Sequence, residues 1–166
     1  MTARSSWWGD ALRGAVAGTV ATWLMDQVTT GVQATQSAAD RAREEAARPN
    51  GRGAVANLVE RLDGALGTRL DRTGRVRAET AVHYALGALP GALYGIARGR
   101  LPLVGGWAGA AYGGVLWAVN DEALNTRLGL AGPFAAYPLS AHWRGFVGHV
   151  ALGAATDSGL DILGAA

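Results

Sequence analysis

The sequence predicts an all-α fold, an integral membrane four-helix bundle that contains a glycine-zipper hairpin and an additional amphipathic helix. Only 17% of the 166 residues are charged and 49% are hydrophobic, whereas an average soluble domain has about 25% charged residues. Glycine occupies 25 positions, and many recur four residues apart, on one face of a helix. Such a face allows close helix approach, as in a bilayer. The glycines predicted to pack are Gly14, Gly18, Gly87, Gly91, Gly95, Gly99, Gly105, Gly109 and Gly113.

Four segments are apolar over about the 20 residues that a helix needs to cross a bilayer core of ~30 Å. A short turn joins the second and third segments, and each carries a glycine row. The sequence therefore predicts that these two segments pair as a tight antiparallel hairpin. The predicted spans are residues 10–31, 78–98, 103–120 and 141–160.

The segment between the first two spans, residues 32–77, is predicted to be helical and to lie outside the membrane. Within it, residues 53–71 have apolar side chains at helical spacing and charged side chains elsewhere, which is the pattern of an amphipathic helix. This helix either lies on the membrane surface or caps its own bundle. Together with the spans, the segment belongs to a single domain, residues 1–166.

Composition excludes several classes of chemistry. The chain has no cysteine, which excludes disulfides, iron–sulfur clusters and thiolate zinc sites. Every basic residue is arginine, so a Schiff-base lysine and a lysine-containing phosphate loop are excluded as well. A formal net charge of +2, with no basic patch interleaved with aromatic residues, argues against nucleic acid as a partner. No nucleophile motif is present, and we expect neither an enzyme nor a bound cofactor.

Polar residues collect at one end of the predicted bundle. Consecutive spans run in opposite directions, so the first and third spans end on the side where the second and fourth begin. The ionisable and amide side chains near these span ends therefore fall at similar depth. Such groups inside a membrane usually face partners or water. The predicted cluster consists of Asp26, His83, Asn120, Asp121, Glu122 and His149.

Three interpretations of this cluster remain open. In the first, it is a structural network in which the histidines bond Asp26 or backbone carbonyls. In the second, it is a water-filled vestibule in which carboxylates and histidines relay a proton or hold a small solute. In the third, it is a metal or haem site. No HExxH or ExxH pair supports the third interpretation. The glycine rows leave a second question open, because they pack either within one chain or between subunits.

Glycine, proline and histidine keep a recognisable spacing near the end of the chain. The residues are Gly129, Leu130, Pro133, Pro138, Gly148 and His149. Their pattern resembles the YagU-like family of small bacterial inner-membrane proteins, over about residues 79–155. That family is also similar in having four hydrophobic helices and a histidine that opens the second, here His83. The resemblance implies the fold and singles out His149, Pro133 and Pro138, but it implies no reaction.

These observations predict a multi-pass protein of the bacterial inner (cytoplasmic) membrane, with the lipid bilayer and a second copy or a membrane-protein partner as its contacts. The leading hypothesis is an oligomeric channel or transporter-like protein that binds or passes a small solute or ion. The alternative is a structural or accessory subunit of a larger membrane complex. A metal- or haem-binding membrane protein is a third, less favoured hypothesis.

Overall fold

The protein is all-α, as the sequence predicts. A computed structural model describes residues 6–101, 104–105 and 107–164, and this part of the chain contains helices and no strand. Seven α-helices follow one another, with a π-helix, Trp117–Leu124, between the fifth and the sixth. The α-helices are α1 (Trp7–Ala34), α2 (Ala38–Ala47), α3 (Ala54–Leu66), α4 (Arg72–Arg98), α5 (Ala110–Leu116), α6 (Asn125–Arg127) and α7 (Leu139–Ile162).

Side-chain caps set the beginnings of α1, α2 and α4, and at α2 the Ser37 hydroxyl accepts from the amide of Asp40 at 3.0 Å. The Ser6 hydroxyl accepts from the amide of Gly9 at 3.0 Å at the start of α1, and Asp71 accepts from Gly74 at 2.6 Å at the start of α4. Each cap satisfies an amide that has no partner within its helix. At the C-terminal end of α3, Gly67 adopts a left-handed conformation, with φ of 66°. Glycine accepts that conformation without a steric penalty, so the helix ends there.

The long helices form the body of the fold. Helix α1 packs along both α4 and α7, and α5 packs along α7. Helices α2 and α3 lie at the end where α1 finishes and α4 begins. They are tied to the segment before α7, because Arg43 donates to the carbonyls of Ala135 and Ala136 and Asn57 donates to that of Leu130 at 2.9 Å.

The prediction of membrane-spanning helices is wrong. Across the described residues, none of the helices combines the length and the apolar character that crossing a bilayer requires. Charged residues interrupt the apolar stretches of α1, α4 and α7, and the predicted span 103–120 becomes helical only at Ala110. Residue 103, where that span was predicted to begin, lies outside the described residues. This finding also overturns the predicted localisation in the bacterial inner membrane.

The glycine-zipper hairpin is also wrong, because the two rows do not pack on each other. Gly87, Gly91 and Gly95 face the backbone or side chains of α1. Gly113 faces the carbonyl of His149 on α7, and Gly109 faces that of Gly153. A glycine row shows that a helix has a smooth face, but it does not specify which neighbour uses that face.

The remaining predicted packing glycines have different surroundings. Gly14 and Gly18, on α1, lie directly against the backbone of the first row on α4. Gly99 follows the last residue of α4 as its C-cap, and among the described residues a Cβ at Gly105 would meet the side chain of Arg98. Gly109 lies outside the helix, with φ of 78° at the N-cap of α5. The second row is therefore interrupted before the helix begins.

Candidate functional site

A cleft of about 550 Å³ opens at the end of the bundle where α2 and α3 lie. Small-molecule sites commonly have volumes of roughly 300–1,000 Å³. Its lining residues come from α1, α2, α3, α4, α5, the π-helix, α6 and α7, and from the connections between them. The apolar side chains that line the cleft include Met25, Leu86, Leu116 and Leu152.

The π-helix sets the polar wall of this cleft. Its wider turns present Trp117, Asn120, Asp121 and Glu122 to the same space. The Asn120 amide donates to Oδ1 of Asp121 at 2.8 Å. Segments of π-helix are rare and occur frequently at functional sites. This local geometry therefore supports the assignment of the cleft as the candidate site.

His83 joins two helices through a carboxylate. Its Nε2 atom lies 2.9 Å from Oδ1 and 3.1 Å from Oδ2 of Asp26, so the ring of α4 bonds the side chain of α1. Because a carboxylate only accepts, Nε2 carries the proton in this contact. The pair holds together the two helices at the entrance to the cleft.

His142 has an acceptor at each ring nitrogen. Its Nδ1 atom lies 2.7 Å from Oε1 of Glu122, and its Nε2 atom lies 3.1 Å from the carbonyl oxygen of Phe134. The ring of Phe134 also stacks on the imidazole, with centroids 3.8 Å apart. An imidazolium satisfies both acceptors, because only that form donates from both nitrogens. This residue was not part of the predicted cluster.

His149 is the most enclosed histidine of the site, with 5% of its surface exposed. Its Nδ1 atom donates to the carbonyl oxygen of Gly145 at 2.9 Å. The neutral ring then leaves Nε2 as an acceptor with no hydrogen-bond partner in the described structure. Oδ2 of Asp121 is 3.7 Å from Nδ1, which is too long for a hydrogen bond.

A buried ion network closes the cleft on the side of α2. Glu44, only 4% exposed, accepts from Arg144 at 2.7 and 2.9 Å and from Arg48 at 2.7 Å. Arg144 also donates to the side-chain oxygen of Gln36 at 2.8 Å. Burial by itself would raise the pKa of Glu44, but the hydrogen bonds and charges of the two arginines outweigh burial and hold the pKa below its ordinary value.

The structure brings most of the predicted cluster to this cleft. His83, Asn120, Asp121, Glu122 and His149 line it, and Asp26 adjoins it through its bond to His83. Within the described residues, no group of three or more histidine, aspartate or glutamate side chains is arranged to hold a metal ion.

Sequence reasoning missed Glu44 and Arg144 as members of the site. Glu44 and Arg48 are four residues apart, which is typical of a solvent-exposed helix pair. The buried partner of Glu44 is Arg144, which lies 100 residues further along the chain, and no local pattern indicates that contact.

A second polar cluster lies at the opposite end of the bundle. The Tyr94 hydroxyl donates to Asp157 at 2.6 Å, and Arg98 bonds the same carboxylate at 2.7 Å. The ring of Tyr112 stacks on Tyr94, with centroids 4.3 Å apart. Burial and the neighbouring carboxylate raise the pKa of Tyr94 above its ordinary value. This cluster ties α4 and α7 together.

Comparisons with known proteins add no relative, because neither a family model, nor a curated protein, nor a solved structure matches this chain. Of the residues that carry the resemblance to the YagU-like family, His149 lines the cleft. Pro138 is the N-cap of α7, and Pro133 precedes a short 3₁₀ turn, Phe134–Ala136. Membership of that family stays a prediction.

Proposed function

We propose that this protein binds a small solute in the cleft between α4 and the π-helix, and that its role is binding rather than catalysis. The observation that carries the proposal is the combination of an apolar interior with polar side chains that converge on it, above all the buried His149. Such a combination is the usual form of a small-molecule site.

The interior of the cleft favours a ligand that is partly apolar. Leu86, Leu116 and Leu152 line it from three different helices, and polar groups on the π-helix and α7 stand beside them. Burying a methylene group contributes about 0.8 kcal/mol. A short alkyl chain with one polar head therefore suits this space better than a fully hydrated ion.

A cleft-filling substitution tests the proposal. Leu116→Trp adds a large ring inside the cleft, and the matched control Val115→Trp adds the same ring at the next residue, which is 63% exposed and outside the cleft. The probe is butan-1-ol, titrated into ¹⁵N-labelled protein and followed by amide chemical shifts. We expect saturable shifts in the wild type and in Val115→Trp, and their loss in Leu116→Trp. Absence of saturable shifts in the wild type contradicts the proposal.

One observation favours a second function, association with another copy of the chain. The outer face of α1 exposes Leu12, Val16, Val20 and Trp23, with exposed fractions from 47% to 67%. These side chains follow one another along one helix face, and a continuous exposed apolar surface commonly marks an interaction site. If the face binds a second copy, Val20→Glu will reduce the mass measured by light scattering to that of one chain, 17.0 kDa. A wild-type mass of one chain contradicts this second function.

A further inference from the structure

The cations of the cleft are already engaged. Arg144 and Arg48 both bond Glu44, at 2.7 Å each. His83 donates a hydrogen bond from Nε2 to Asp26, and each ring nitrogen of His142 faces a hydrogen-bond acceptor. In the described structure, every arginine and histidine of the wall other than His149 therefore has a carboxylate at hydrogen-bond distance. An anionic ligand would have to displace one of these carboxylates.

Acceptors, in contrast, remain uncommitted on the same wall. Nε2 of His149 has no partner, although the residue is more than nine-tenths buried. Asp121 uses Oδ1 to accept from Asn120, while its Oδ2 has no hydrogen bond. The carboxylate of Glu79 lines the cleft without an ion pair or hydrogen bond in the described structure. Among the described residues, the wall therefore offers uncommitted acceptors but no uncommitted cation.

We propose that the ligand is a protonated primary amine with a short apolar chain, whose ammonium group donates to Nε2 of His149 and to the carboxylate of Asp121. This inference rests on the proposed binding function and specifies its ligand class. The alkyl chain occupies the apolar interior beside Leu116 and Leu152. Trp117, which also lines the cleft, presents an aromatic ring of the type that attracts organic cations.

The geometry distinguishes a primary ammonium group from a quaternary one. A neutral imidazole nitrogen accepts a hydrogen bond, and a quaternary ammonium group has no N–H to donate. A ligand that merely neutralises the carboxylates would bind equally well in either form. Preference for the primary amine is therefore the signature of hydrogen-bond acceptors in the site, Nε2 of His149 and the carboxylate of Asp121, rather than of charge alone.

The test compares four probes that share a butyl chain: n-butylammonium, butyltrimethylammonium, butyrate and butan-1-ol, each titrated at pH 7.5 with amide chemical shifts as the readout. We expect n-butylammonium to bind about tenfold more tightly than butyrate, because an opposite charge within a few ångströms contributes on the order of 1 kcal/mol or more. We also expect it to bind more tightly than butyltrimethylammonium. Equal or tighter binding of either competitor overturns the inference.

Variants that each remove one negative charge show which carboxylates bind the ammonium group. Asp121→Asn and Glu79→Gln each remove a negative charge from the cleft wall, and we expect each to weaken n-butylammonium binding about fivefold while leaving butan-1-ol unaffected. Glu45→Gln is the matched control, because Glu45 is exposed and lies outside the cleft. It leaves both affinities unchanged. Unaltered ammonium affinity in both cleft variants overturns the inference.

The same titrations separate the two proposals. If butan-1-ol binds in a manner that Leu116→Trp abolishes but n-butylammonium binds no more tightly than butyrate, the ligand class is wrong and the cleft remains a binding site. If none of the four probes gives saturable shifts, the proposed function fails, and the inference fails with it.

Discussion

Replacing Gly91 by alanine tests the close packing of α1 on α4. A Cβ atom at Gly91 would lie 2.5 Å from the carbonyl oxygen of Gly14 and 3.0 Å from Cα of Gly18. Both neighbours are backbone atoms, so no side-chain rotation relieves the contact. The two helices must separate, or one must shift along the other.

The size of the effect follows from these distances. Restoring an ordinary contact of 3.4 Å requires a displacement of about 0.9 Å. A gap of that size along a helix pair forfeits a quarter to a half of the dispersion energy of the facing atoms, and overpacking typically costs about 1–3 kcal/mol. Alanine recovers up to about 1 kcal/mol through its higher helix propensity. We expect a net loss of about 1–2 kcal/mol in the free energy of unfolding.

The assay is urea unfolding followed by circular dichroism, with Gly31→Ala as the matched control. Gly31 lies in α1, and a Cβ there has no neighbour within 4 Å. The same substitution therefore gains helix propensity without a clash, and we expect it to stabilise the protein by up to about 1 kcal/mol. The two substitutions then change the free energy of unfolding in opposite directions. If Gly91→Ala is as stable as the wild type, the close approach of α1 and α4 is wrong.

Two further predictions concern buried carboxylates. Asp157→Asn weakens the bonds to Tyr94 and Arg98, and we expect it to lower the free energy of unfolding by about 2–3 kcal/mol in urea. Glu44→Gln removes the anion between Arg144 and Arg48, so it destabilises the protein at pH 7. Because the folded pKa of Glu44 lies below its ordinary value of 4.5, its contribution is complete above that value and is lost as pH falls through the folded pKa. The stability difference between wild type and Glu44→Gln therefore narrows below pH 4.5.

Exposed carboxylates nearby provide controls for both predictions. Asp161 also bonds Arg98 but is 64% exposed, so Asp161→Asn should cost less than about 1 kcal/mol. If Asp157→Asn and Asp161→Asn lower the free energy of unfolding equally, burial does not strengthen the contribution of Asp157. Glu45→Gln should leave the pH dependence of stability unaltered. If the difference between wild type and Glu44→Gln stays constant from pH 7 to pH 3, Glu44 does not gain its stability from the two arginines.

The helical class and the location of the polar residues were predictable from the sequence. Long segments with helical periodicity predict helices, and consecutive predicted spans were expected to run in opposite directions. That alternation places the end of α1 beside the start of α4, which is why Asp26 and His83 were expected near each other. The structure shows them 2.9 Å apart. A local pattern succeeds here because chain direction alone determines the neighbourhood.

Other features depended on information that a local pattern does not contain. The first glycine row packs on α1 rather than on its neighbour in sequence, because any smooth helix face can serve as a partner. The burial of Glu44 depends on Arg144, which is distant in sequence. The apolar composition predicted a membrane, but the charges within the helices leave none of the described ones apolar enough to cross it. Composition describes the chain as a whole, and a membrane span depends on where its charges fall.

The most direct test of the central claim is the protonation pattern of the three histidines during ligand titration. Long-range ¹H–¹⁵N spectra distinguish a ring nitrogen that carries a proton from one that accepts. We predict that His149 in the free protein has a protonated Nδ1 and an accepting Nε2, and that n-butylammonium shifts its Nε2 resonance saturably while His83 changes little. A His149 resonance that stays fixed throughout the titration, while amides elsewhere shift, would contradict the cleft as the binding site.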